Sequence, residues 1–402
     1  MEIVTTTPLP ELYSITESET TFGLNSEVNI WNDSCPVLTI PAEFVHKYLY
    51  SSVDVVLTTI LMPIAICLGC LLNGGFLYVV ASIQSMQTTT NFYLANLAVC
   101  DGLYLLSTSY AIRSYIVSGT VSRNAVQDGD ISCVILVLQT LFYVASLAFI
   151  TLVTMERFFG ICYPIKSLAL NRRRRTVKLA VGAWLISLAV GFLYTMPYMY
   201  VEKICINWPD EERFADLPKV VGWCTGSLIP KRFTIFPIII RGCKALTFGI
   251  PFILCTIMCI KIVAALGKRP LPKSQAERAR LHVTRMLLVN NTVFFICNIP
   301  STVLHICVIS ALFVGTSIVP EEVITTMIQT AIACTLINSA VNPIIYNASN
   351  PRYRQAFCQA FTTCLCSRRD GKGGQQTSQL STVDQRRLGT TSSKIEDVSE
   401  NK

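Results

Sequence analysis

Seven apolar stretches, near 55–82, 91–115, 132–156, 177–200, 236–264, 284–313 and 323–347, occupy most of this 402-residue chain. Each is long enough to cross about 30 Å of hydrocarbon. Inside lipid a backbone must satisfy its own hydrogen bonds, so such stretches become helices. Only 14% of residues are charged, whereas a soluble protein carries about a quarter. The expected fold is an all-α membrane protein, a seven-transmembrane helix bundle. An odd number of crossings puts the termini on opposite faces. The first 50 residues hold no apolar core preceded by positive charge, so no cleaved signal peptide is expected.

Basic residues give the orientation. Lys166, the run Arg172 to Arg175 and Lys178 follow the third span. Lys268, Arg269, Lys273, Arg278 and Arg280 follow the fifth, and Arg352, Arg354, Arg368 and Arg369 follow the seventh. All three segments are assigned to the cytoplasm, with the N-terminus outside. The net charge of +8 is then answered by an anionic lipid leaflet, and no nucleic-acid partner is needed.

The expected domain plan is a polar extracellular leader over 1–52, the bundle over 53–348, a short amphipathic eighth helix over 349–366 and a disordered cytoplasmic tail over 367–402. Asn32 heads a glycosylation sequon in the leader. Tyr353, Phe357 and Phe361 recur every four residues beside Arg352 and Arg354, the pattern of an interfacial helix. Cys364 and Cys366 follow as palmitoylation candidates or free thiols. The hydroxyl-rich tail reads either as a set of kinase sites or as a solvated segment. Of 17 cysteines, Cys35, Cys133, Cys205 and Cys224 lie at or beyond the outer edge, where disulfides persist. Three pairings are open. Cys133 with Cys224 is favoured, and Cys35 with Cys205 comes second.

Ionisable groups at membrane depth are functional suspects, because a carboxylate there costs roughly 2.5–3.5 kcal/mol. Asp101 lies deep in the second span, with Asn73, Ser146, Asn338, Ser339 and Asn342 as oxygen-bearing companions. Asn338, Ser339 and Asn342 share one helical face. Two readings stand even: a Na⁺ site, or a water-filled network around a protonated Asp101. Glu156 and Arg157 are adjacent at the end of the third span and can pair as a charge lock. Asn342-Pro343-Ile344-Ile345-Tyr346 closes the seventh span. It reads as a hinge or a tolerated proline kink, with Asn342 expected to bond the carbonyl that Pro343 frees. No nucleophile-and-base pair or metal-ligand cluster points to an enzyme. No internal repeat points to a transporter.

One such mark per span, in order, resembles the rhodopsin-like (class A) G-protein-coupled receptors over about residues 53–366. The marks are Asn73; Asn96-Leu97-Ala98 to Asp101; Glu156-Arg157-Phe158; Trp184; Pro251; Phe294 and Pro300; and Asn342 to Tyr346. The resemblance implies a plasma-membrane receptor that an outside ligand switches, opening an inner cavity for a heterotrimeric G protein. Receptor kinases and arrestin are implied for the tail, and Na⁺ is the one implied ion, as an allosteric ligand. The implied switch comprises Glu156, Arg157, Phe294, Pro300, Asn342, Pro343 and Tyr346. Gln139 and Leu336 stand where amine receptors carry aspartate and opsins carry lysine. The long second outer loop is similar to that of peptide receptors. Thr284 to Leu288 and Phe294 to Pro300 look most like invertebrate neuropeptide receptors of the FMRFamide type. Expected ligand contacts are Gln139, Tyr143, Glu202, Asn298, His305, Glu321 and Glu322. The chain departs from the family pattern at Asn298, where tryptophan is usual, and at Cys259, where tyrosine is usual. Those departures leave a second reading, a ligand-binding scaffold with weak or absent coupling.

Overall fold

The computed structural model describes residues 37–122, 131–164, 172–195, 200–225, 235–267, 275–314 and 319–370. Its long helices are α1 (Ser52–Ser82), α2 (Thr89–Ser118), α3 (Ile131–Cys162), α4 (Arg172–Thr195), α5 (Ile235–Gly267), α6 (Gln275–Val314) and α7 (Glu321–Ser349). A further helix, α8 (Pro351–Asp370), follows a break at Asn350 and runs past residue 366 into the segment expected to be unstructured. Asn32 and residues 371–402 lie outside the described residues.

Six of the seven long helices are long and apolar enough to cross a membrane. The exception is α2, whose Thr90, Asn91, Asn96, Asp101 and Arg113 dilute its apolar character. It nevertheless packs between α1 and α3, and the family match reported below completes the seven-helix bundle. The bundle is apolar outside and carries a set of fully buried polar groups within its apolar core. Leu71, Ile186 and Ile260 are 62–72% exposed, while Asn73, Asp101, Asn290, Asn298 and Asn342 are at most 2% exposed. That is the reverse of a water-soluble bundle, and lipid is the solvent that rewards it.

Packing sets the frame for the interior. Helix α3 contacts α2, α4, α5 and α6 and is the most buried of the six apolar helices. Small residues permit the closest approaches. A Cβ on Gly191 of α4 would lie 3.2 Å from the Leu141 backbone of α3. One on Gly69 of α1 would meet Leu105 of α2 and Ala340 of α7. Ser51 and Asp54 form a capping box at the start of α1. The Gln329 amide of α7 donates to both side chains, at 3.0 and 3.1 Å, and so ties α1 to α7.

One end of the bundle carries a small sheet. Strands β2 (Tyr200–Asn207) and β3 (Val220–Thr225) form an antiparallel hairpin, and β1 (Val37–Thr39) lies parallel beside β2. Ile40, Val45, Val121, Ile206, Trp208, Phe214 and Val221 form a core of their own beneath these strands. The end of the expected leader is thus built into the second loop's hairpin. A disulfide joins Cys133, in the first turn of α3, to Cys224 on β3. Cys205 is also disulfide-bonded, and Cys35, its expected partner, lies outside the described residues.

Candidate functional site

Asp101 sits at the centre of the buried polar groups. Its Oδ1 accepts the Ser146 hydroxyl of α3 at 2.9 Å, and its Oδ2 accepts the Asn342 amide of α7 at 2.6 Å. One carboxylate therefore joins α2, α3 and α7. Asn338 and Ser339 are each 4% exposed, and the Asn338 Oδ1 is buried without a hydrogen-bond partner among the described residues. Asp101, Ser146, Asn338, Ser339 and Asn342 each carry a side-chain oxygen, the ligand type that hard cations take. That composition fits a hard monovalent cation.

The hinge of α7 differs from expectation in one respect. Pro343 has no N–H to give the Ser339 carbonyl one turn back. Asn342 does not bond that carbonyl, because its amide is committed to Asp101. Asn73 of α1 does so instead, its Nδ2 donating to the Ser339 oxygen at 2.9 Å and also to the Gly69 oxygen at 2.9 Å. The kink is thus held from α1 and α2 together. Tyr346, one turn further, is 1% exposed, with its ring 5.2 Å from Phe76 and 5.9 Å from Tyr353. The Tyr353 hydroxyl donates to the Asn91 Oδ1 of α2. Burial pushes that phenol well above its ordinary pKa, which keeps the donor protonated.

At the α8 end, the Arg157 Nε lies 2.8 Å from the Glu156 Oε2, an ion pair by distance though not aligned as a hydrogen bond. Thr90 of α2 donates to the same carboxylate oxygen at 3.0 Å. At the sheet end, the Tyr143 hydroxyl of α3 donates to the Asn298 Oδ1 of α6 at 2.9 Å, and the Asn298 Nδ2 donates to the Phe294 carbonyl at 2.7 Å. Phe294 is 1% exposed and packs among Leu147, Ile150, Phe248 and Cys255. Pro300 lies within α6 without ending it.

Of the residues expected to meet a ligand, Tyr143 and Asn298 are brought together. Gln139 lies one turn from Tyr143 on α3, and His305 lies two turns beyond Asn298 on α6, both half-buried. Glu202 is on β2 opposite Trp223, and Glu321 opens α7. Glu322 is exposed and lines a groove with Pro300, Val323, Thr326, Met327 and Thr330. Cys364 and Cys366 fall within α8.

Several pairs were missed at the sequence level. The Trp184 indole donates to the Asn96 Oδ1 at 3.1 Å. Asn291 of α6 donates to the Thr154 Oγ1 of α3 at 2.7 Å and lies 3.4 Å from the Cys259 Sγ of α5. The doublet Asn290-Asn291 inside an apolar span carried a usable signal, since a polar side chain at that depth needs a partner.

Known proteins are similar to this chain over most of its length. The somatostatin receptor type 2 of Mus musculus is 26% identical over 354 residues, covering 86% of each chain. A purinoceptor of Rattus norvegicus is 24% identical, over 75% of this chain and 79% of its own. The lysophosphatidic acid receptor 6 of Homo sapiens is 26% identical, over 75% and 83%. Residues 72–346 match the family described as 7 transmembrane receptor (rhodopsin family). That match spans Asn73, Asp101, Ser146, Asn298, Asn338, Asn342 and Tyr346, and the chain belongs to this family of class A G-protein-coupled receptors.

Proposed function

We propose that this member of the family is a receptor for an extracellular neuropeptide and that it activates heterotrimeric G proteins. The family consists of receptors, not enzymes, with an outside ligand and an inside G protein. Its relatives are named for somatostatin, for purines and for lysophosphatidic acid, so kinship at this distance does not select a ligand class. The observation that carries the peptide reading is the β2–β3 hairpin, pinned to α3 by Cys133–Cys224 and widened by β1. Such a platform offers a broad contact surface, with Glu202 on one strand and Lys203 exposed next to it. Gln139 has no charge to pair with an amine, and Leu336 is fully buried among Met62, Ala65 and Leu105.

The sheet end is extracellular, the α8 end cytoplasmic, and the membrane is the plasma membrane. The ligand acts on Tyr143, Asn298 and their neighbours, and α6 swings from α3 to admit the G protein. A ligand does this only by binding the open state more tightly than the closed one. When bound, Na⁺ would be held by Asp101, Ser146, Asn338 and Ser339, with Asn342 adjoining, and would favour the closed state. Receptor kinases and arrestin act on the tail, a glycan sits on Asn32, and acyl chains sit on Cys364 and Cys366.

A library of amidated neuropeptides applied to cells expressing the full chain, read by calcium and cyclic AMP, tests the proposal. A saturable response to one peptide series supports it. Silence across the library despite surface expression favours the scaffold reading, which the replacements at Asn298 and Cys259 motivate.

A further inference from the structure

The Arg157 ion pair is with Glu156 on its own helix, so it places no bond between α3 and α6. Something else must hold those helices together at the G-protein end. Thr154 lies one turn from Arg157 on α3, and its hydroxyl hydrogen is committed to the Ile150 carbonyl at 2.8 Å. The oxygen lone pairs are left to accept, and the Asn291 Nδ2 fills that role at 2.7 Å. A second N–H of the same amide faces the Cys259 Sγ at 3.4 Å. Thr154 and Asn291 are 1% and 3% exposed. One amide thus joins α3, α5 and α6 in a buried interior, where the low local dielectric makes a broken bond costly.

We infer that Asn291, with Thr154 as acceptor and Cys259 as a weaker second contact, is the latch that holds α6 against α3 in the closed receptor. The latch supplies the cross-helix bond that the Glu156–Arg157 pair lacks. It also gives Cys259 a function in the closed state, since its sulfur accepts from the Asn291 amide. The functional consequence rests on the reading above, that a G protein enters where α6 leaves α3.

The test uses the full-length chain in lipid nanodiscs, without ligand. Spin labels carried on noncanonical amino acids at Phe159 and Arg278, both exposed, report the separation of α3 from α6. Nucleotide exchange on added G protein is measured in parallel. Thr154→Val keeps side-chain shape and removes the acceptor, while Asn291→Ala removes the donor. Each is expected to raise the open fraction and basal exchange about threefold, the effect of one hydrogen bond between membrane helices. The double variant is expected to go no further than the larger single one, because both break the same bond, and Thr154→Ser rescues the loss. Unchanged label distances in well-folded Thr154→Val, or single effects that multiply in the double variant, overturn the latch. Widened distances with silent exchange uphold the latch and overturn the G-protein reading.

Discussion

Tyr143→Phe removes a single oxygen from the α3–α6 seam, and the structure sets its expected cost. The lost hydroxyl donates to the Asn298 Oδ1 at 2.9 Å, and Asn298 is 0% exposed. The variant leaves that carbonyl oxygen buried without its donor, a penalty of about 1–3 kcal/mol. Hydrogen bonds between membrane helices average only about 0.6 kcal/mol, with a maximum near 1.7. The lower half of the first range is therefore expected, about 1–2 kcal/mol. At about 2.1 cal/mol/K per residue, a chain of 402 residues shifts by roughly 1 °C per kcal/mol, so the midpoint should fall by about 1–2 °C.

A double-mutant cycle separates this account from simple loss of packing. Asn298→Leu removes the acceptor, and the Phe294 carbonyl keeps its helical backbone donor. Tyr143→Phe with Asn298→Leu leaves neither partner orphaned, so it should be more stable than the sum of the single losses predicts. A thiol-reactive dye suits the measurement. Cys358 is exposed outside the spans and reacts at once, whereas Cys100 and Cys255 are buried and react on unfolding. Losses that add in the double variant would show that the two side chains are not coupled, and the reasoning would fail.

Asp101→Asn is expected to abolish the rise in thermal midpoint that sodium chloride gives over choline chloride. A sodium response left intact would remove the ion site and leave the water network. Gly191→Val would push a side chain against the Leu141 backbone, 3.2 Å from the Cβ position; overpacking of this kind costs about 1–3 kcal/mol, and a midpoint within error of the parent's would contradict the close approach. Cys224→Ser releases a disulfide spanning 91 residues, worth about 4–5 kcal/mol in the chain-entropy account. Surface expression and thermal midpoint should both drop, and normal values for both would mean that the bond does not brace the fold.

What could be read from the sequence was what lipid imposes on it. The spans were visible because a buried backbone must form helices, and Asp101 was visible because a carboxylate at that depth needs a purpose. Which partner each asparagine takes was not visible, since that depends on how each helix is rotated. Asn342 is next to Pro343 in sequence, and proximity alone assigned it the freed carbonyl. Packing at Gly69 brings α1 so near α7 that Asn73 reaches the Ser339 oxygen first. The strand β1 beside the loop hairpin was hidden for another reason. Val37–Thr39 is too short to show strand periodicity, and its pairing with β2 bridges most of the bundle in sequence.

The α3–α6 seam brings the unusual positions of this chain into one order. Along it lie Tyr143 with Asn298, then Phe294 among Leu147 and Ile150, then Thr154 with Asn291. Two polar contacts flank an apolar plug. Pro300 is the weak point of α6, where the missing N–H favours bending. From that pivot, at 1.5 Å per residue, Asn298 is about 3 Å away and Asn291 about 13.5 Å. A swing of about 10° would move Asn298 by roughly 0.5 Å and Asn291 by roughly 2.4 Å along such a lever. Hydrogen bonds tolerate the first displacement and not the second. The Thr154–Asn291 contact must therefore break when α6 opens, while Tyr143–Asn298 can survive the same motion. With the closed state held at Asn291, Asn291→Ala should raise basal exchange more than Tyr143→Phe does.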